Sequence, residues 1–177
     1  MNELELKFPS KDDKKMIEEY VQEHYQKQEY KLSGAGIGNE RLNDFDKWLE
    51  KIQNDTSGQT VKEGRVPATL YIAIRKSDNK LVGTIQIRHK LNEKLLIHGG
   101  NIGYGVRPSE RRKGYAKQML QLALEKSKEL GLKRVLITCD KDNIGSSKTI
   151  LANGGKLENE LEYNGVLIQR YWITIKD

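Results

Sequence analysis

The stretch NIGYGVRPSERRKGYAKQMLQLALEKSKELG, Asn101–Gly131, decides how this chain is read. Ile102, Tyr104 and Val106 alternate with Gly103, Gly105 and Arg107, the two-residue period of a short strand. Pro108 has no amide to donate to a ladder, so the strand ends there. Apolar positions then recur at Ala116, Met119, Leu120 and Ala123, which is one face of a helix. Leu130 closes the pattern and Gly131 is placed to end it in a left-handed conformation. The spacing predicts a strand, a short basic turn and a helix from about Arg112 to Leu130.

The chemistry lies in the turn. Arg111, Arg112, Lys113 and Gly114 precede or form the first helical turn, where amides lack partners inside the helix and carry the positive end of its dipole. Such a place suits an anion, most simply a phosphate. Gly114 lets a ligand approach the backbone, and the small Ala116 keeps the next turn close. The dipole contributes only about 0.3–1 kcal/mol, up to ~2 when partly buried. Neighbouring charges and backbone hydrogen bonds are therefore expected to carry much of any affinity.

Working outward, the 177 residues are most simply one domain, 1–177, long enough to bury a sizeable core. The net charge of +6 admits acidic ligands or nucleic acid. However, Arg107, Arg111, Arg112, Lys113 and Lys117 gather at the turn, where a polyanionic cofactor explains them as well. A nucleic-acid surface would spread its cations along a stripe and add aromatic stacking platforms, so nucleic acid is the weakest reading. The single cysteine, Cys139, excludes an internal disulfide. No apolar run reaches membrane-spanning length and Met1–Ser10 has no signal-peptide core, so a cytoplasmic protein without a membrane partner is expected. Asn54-Asp55-Thr56 is read as a chance sequon.

Upstream, Glu3 to Phe8 alternates as a first strand and Ser10 is placed to cap a helix carrying Met16, Ile17, Tyr20, Val21 and His24. Ser33 to Gly38 is glycine-rich but lacks the dinucleotide-loop spacing, and reads as a flexible connection. A second helix presents Leu42, Phe45, Trp48, Leu49 and Ile52. Thr69 to Arg75 and Leu81 to Leu91 form a hairpin about Ser77-Asp78-Asn79, with one face on a core. Downstream, RVLITC (Arg134 to Cys139) is a strand buried on both faces. Strand, helix and strand in succession imply a parallel crossover with a ligand at the strands' carboxyl ends, near Val106, Arg107 and Asp140. Asn143 and Ser146 can cap a short helix ending near Asn153-Gly154-Gly155, and Asn164-Gly165 marks a closing hairpin.

Arg111-Arg112-Lys113-Gly114-Tyr115-Ala116 resembles the acetyl-CoA signature of the GNAT superfamily of N-acetyltransferases: Gln or Arg, two residues, Gly, one residue, then Gly or Ala. The resemblance implies an α/β (mixed α+β) fold, with a mostly antiparallel central sheet, a parallel crossover and about four flanking helices. It implies acetyl-CoA as co-substrate, with the turn, together with Val106 and Arg107, holding the pyrophosphate. Asn143 and Ser146 match the family's Asn and Ser or Ala beside the pantetheine arm. In the family, the first two helices and their connection border the acceptor site, which brings in Glu40 and Glu63. The implied reaction is direct acetyl transfer to a primary amine of a small molecule or protein, by a monomer or homodimer.

Two departures stand out. The family's thiolate-protonating tyrosine, seven residues after the Asn, is Ile150 here, and its early-strand glutamate falls near Gly100. His98 and Tyr104 are the nearest candidates for side-chain proton transfer, and strand amides near Val106 for an oxyanion hole. Cys139 is read as an inert core thiol, and no metal-site pattern is present. The empty tyrosine position keeps a second reading open, a non-catalytic acyl-CoA-binding or sensing domain.

Overall fold

Residues 3–34 and 43–176 are described by a computed structural model. The elements in order are β1 (Leu4–Lys7), α1 (Lys14–Gln26), α2 (Phe45–Asn54), β2 (Ala68–Arg75), β3 (Lys80–Arg88), α3 (Glu93–Ile97), β4 (Ile102–Val106), α4 (Tyr115–Glu129), β5 (Arg134–Asp140), α5 (Ile144–Ala152), β6 (Lys156–Tyr163) and β7 (Val166–Thr174). Strands β1-β2-β3-β4 form one antiparallel sheet, and β5-β7-β6 a second.

The first sheet is buried on both faces, not on one as its hairpin alone suggests. Ile85, Ile87 and Ile102 pack with Met119, Leu120 and Ala123 of α4. Leu70, Ile72 and Leu81 pack with Ile17, Tyr20 and Val21 of α1 and with Phe45, Trp48 and Ile52 of α2. The near-continuous apolar run of β2 is the sequence counterpart of two covered faces. Burying each such side chain contributes about 1.5–3 kcal/mol. Val135, Ile137 and Cys139 of β5 extend the α4 core into the second sheet.

One residue sews the sheets together. The Asn101 amide donates to Leu136 O (2.7 Å), while its Oδ1 accepts from Leu136 N (2.8 Å). Beside it, a Cβ on Gly100 would lie 2.3 Å from Leu136 O, so only glycine admits this approach. Past the seam, among the described residues, β4 pairs only with β3, and β5 only with β7. The expected strand–helix–strand unit, β4–α4–β5, thus bridges two antiparallel sheets that part towards the ends of β4 and β5.

Local boundaries shift for local reasons. Helix α4 starts at Tyr115 because Arg112 (φ 59°) and Gly114 (φ 82°) are left-handed. In α2, Asp44 caps the helix by accepting from Lys47 N (3.1 Å). Leu42 and Glu40 lie outside the described residues. The one-turn α3, capped by Asn92, is too short to show a helical period. Asn164 and Gly165 both have positive φ, as a two-residue hairpin demands.

Candidate active site

The basic turn is clamped from beneath by carboxylates distant in sequence. Glu23 of α1 accepts from Arg107 Nε (2.5 Å) and from Ser109 N (2.7 Å). Glu29 takes a two-pronged pair from Arg111 (both 2.6 Å) and a bond from Nδ1 of buried His24 (2.8 Å). Buried Glu110 gathers Arg75 (2.7 Å), Lys80 (2.7 Å) and Lys113 (3.0 Å). The cations of the basic cluster are thus not all alike. Arg107, Arg111 and Lys113 are occupied in building the turn, whereas Arg112 and Lys117 make no ion pair with a described residue.

These clamps are sensitive to acid. Hydrogen bonds from Arg111, against some burial, hold the Glu29 carboxyl at about 2. Burial pushes Glu110 upward, but the bonds from Lys80, Lys113 and Arg75 outweigh it and leave that carboxyl also at about 2. A depressed carboxylate stabilises the fold fully above its ordinary value, 4.5, and loses that contribution as pH falls towards 2. Thermal melts from pH 6 down to about 3 are expected to fall steadily, and Glu110→Gln to be less stable at pH 6 but to lose less on acidification. An identical acid slope in that variant would show that the Glu110 cluster does not contribute.

The main chain of the turn is less engaged than its side chains. Gln118 N donates to Gly114 O (3.3 Å), but the amides of residues 112–117 donate to no described group. Next to them lies the parted edge of β4. Arg88 N bonds to Asn101 O and Arg107 N to Val82 O, so the Asn101 carbonyl and alternate residues 103, 105 and 107 address β3. Tyr104 and Val106 must then turn their amides to the other edge, where β5 does not pair. Val106 O accepts from Arg111 Nε (3.2 Å), tying the strand end to the turn.

Tyr104 reaches across the gap. Its hydroxyl lies 2.9 Å from Ser146 Oγ at the start of α5. Burial raises its pKa to about 12, partly offset by the Ser146 bond. Asn143 Oδ1 accepts from Ser146 N (3.1 Å), so its capping role is realised and fixes the serine beside Tyr104. His98 stands apart from this pair, stacked on Tyr163 of β6 (4.7 Å between ring centroids, 6° between planes). Ile150 is fully buried and Cys139 lies in the core, where burial raises its thiol pKa. Ser33 and Gly34, read as part of a flexible connection, instead lie against β4: a Cβ on Gly34 would sit 2.4 Å from Tyr104 Cα. Nothing local in the sequence announces this contact, nor the roles of Glu23 and Glu29, because each partner is more than fifty residues away. Among the described residues, no group of side chains could hold a metal ion, and no helix is long and apolar enough to cross a membrane.

A basic turn beside two parting antiparallel sheets is the architecture of a CoA-dependent acyltransferase. Residues 3–156 match the sequence profile of the acetyltransferase (GNAT) domain, and the chain belongs to that family. A comparison with curated protein sequences gave no match. Similar solved structures include the microcin self-immunity acetyltransferase MccE in complex with acetyl-CoA and AMP (TM-score 0.71, 20% identity, 99% of this chain and 94% of that one). Another is a Salmonella typhimurium acetyltransferase that modifies the N-terminal serine of a 50S ribosomal subunit protein (0.67, 21%, 98% and 95%). A third is mutant forms of the Vibrio cholerae spermidine/spermine N-acetyltransferase SpeG (0.63, 17%, 97% and 95%). At these identities the likeness is one of fold.

Proposed function

We propose that residues 1–177 act as one N-acetyltransferase domain that moves the acetyl group of acetyl-CoA directly to a primary amine. The observation that carries this is the run of amides at residues 112–117 with no partner among the described residues, beside an edge of β4 that no described strand pairs. Those amides, with Arg112 and Lys117, suit the pyrophosphate; the parted strands suit the pantetheine arm, bordered by Asn143 and Ser146. The Val106 and Tyr104 amides are placed to polarise the thioester carbonyl. The amine nitrogen attacks that carbon, the carbon–sulfur bond breaks, and the proton lost from nitrogen ends on sulfur. Tyr104, with Ser146, donates a hydrogen bond to the leaving thiolate and provides a route for that proton.

The test separates charge from backbone strain. Gly114 has positive φ, which Asn and Asp tolerate better than other side chains. Gly114→Asn and Gly114→Asp are nearly isosteric, but only the second adds a negative charge where phosphate should bind. At acetyl-CoA about 100 times its Kd, linkage predicts ~2.7 kcal/mol of stabilisation. That corresponds to roughly 5–10 °C in Tm for a chain of this size. We expect wild type to show the shift, Gly114→Asn to keep part of it, and folded Gly114→Asp to lose it. Equal shifts in all three proteins would refute the site.

A further inference from the structure

The turn sits at one end of β4; a different cation sits at the other. Strands β3 and β4 pair Gly83 with Val106 and Ile87 with Ile102, which sets Arg88 beside Asn101, roughly 17 Å along the strand from Val106. Thr84, Gln86 and Arg88 alternate without a bulge, and Thr84 Oγ1 lies 3.3 Å from Tyr20 Oη of α1. Arg88 therefore points to the α1 side of the sheet, opposite the face covered by α4.

Its bonding is unusual for this protein. Nη1 alone makes the hydrogen bonds of the guanidinium, to Gly99 O and Gly100 O (both 3.0 Å). Nε and Nη2 donate to no described residue. Three other arginines withdrawn from solvent each hold a carboxylate. Arg75 pairs with Glu110, Arg107 with Glu23 and Arg170 with Glu158, at side-chain exposures of 12%, 10% and 12%. Half-buried Arg88 has none among the described residues; burial depresses its pKa and the charge of Arg65 depresses it further. Anchoring two carbonyls needs only a neutral donor, and desolvating an unpaired cation carries a cost. Fixed by Gly99 and Gly100, the free edge of the guanidinium is preorganised for a planar anion.

We infer that Arg88 is an anion-recognition residue of the acceptor site, and that the acetylated amine is extended, with a carboxylate or phosphate roughly 10 Å from its amino group, the three-residue span from Tyr104 to Asn101. This rests on the acetyltransferase reading above. Cofactor and acceptor then enter from opposite ends of β4 and meet at the Tyr104 and Val106 amides. A polyamine would meet Arg88 and Arg65 as like charges and is expected to be a poor acceptor.

Matched amines of that length test this: 8-aminooctanoate against 8-aminooctanamide, 6-aminohexyl phosphate against 6-aminohexanol, and spermidine as the polycation, with rates corrected for the free-amine fraction. Wild type is expected to favour one or both anionic members by about ten- to a hundredfold in kcat/KM, the range of a charge-assisted pair. Which pair shows the larger ratio tells carboxylate from phosphate. Arg88→Gln should collapse the ratio through KM while acetyl-CoA still raises its Tm. Arg88→Lys, which keeps a cation, should retain part of it and serves if the glutamine variant does not fold. Equal use of the paired amines by wild type, or a preference that survives in folded Arg88→Gln, would overturn the inference. If no amine turns over, the transferase reading fails. Melts with the same amines in the presence of CoA then decide the anion site: an Arg88-dependent shift keeps it, and its absence removes it.

Discussion

Tyr104→Phe is expected to lower kcat by about a hundredfold, at the low end of what a positioned proton donor contributes. The substitution removes one oxygen from a half-buried ring and leaves β4 and the turn intact. The acetyl-CoA-induced rise in Tm should therefore survive, and with it most of the affinity for the cofactor. With its pKa raised to about 12, the hydroxyl stays protonated at neutral pH and serves as a donor, not a base. No falling limb from this group is expected in the pH–rate profile below about pH 10. Ser146→Ala leaves Tyr104 Oη without its 2.9 Å partner and should give a smaller loss, because the donor itself remains. Tyr104→Phe within twofold of wild type would remove Tyr104 from the reaction and turn attention to water or to Ser146 alone.

How much of this was legible beforehand follows the range of the interactions. The strand ending before Pro108, the helix of Met119 and Leu120 and the Asn164-Gly165 hairpin rest on spacing within a few residues, and each formed, the helix starting at Tyr115 and not near Arg112. The glycine and cations of the turn were equally local. What spacing did not show was occupancy. The turn's arginines look alike in sequence, yet Arg107 and Arg111 are tied to Glu23 and Glu29, while Arg112 has positive φ and an exposed side chain. Local pattern also placed Ile150 at the family's tyrosine position but could not show that Tyr104 reaches α5 from the opposite wall of the gap. Such a contact depends on how far two sheets part, which no run of residues encodes. His98 shows the same limit: proximity in sequence to β4 made it a candidate, and its ring lies against Tyr163 of the other sheet.

Asn101→Ala should be the most damaging single truncation at the seam. The side chain, 3% exposed, accepts from Leu136 N (2.8 Å) and donates to Arg88 O (3.1 Å). Alanine strands both backbone groups in a dry environment, at about 1–3 kcal/mol each. A total of roughly 2–6 kcal/mol corresponds to a fall in Tm of about 4–24 °C for a chain of this size. The main-chain bond from Asn101 N to Leu136 O persists, so the sheets are loosened there, not separated. Because that bond and the side-chain bond together fix where β4 and β5 begin to part, acetyl-CoA should also stabilise the variant less than it does wild type. Asn101→Asp distinguishes the two bonds: it keeps an acceptor for Leu136 N but sets a carboxylate against Arg88 O. Urea unfolding of all three proteins, read as midpoint shifts at unchanged m, measures the cost. A loss below about 1 kcal/mol in the alanine variant, less than one stranded buried group should cost, would mean that water or a shift of β5 satisfies Leu136, and that the gap between the sheets is set elsewhere.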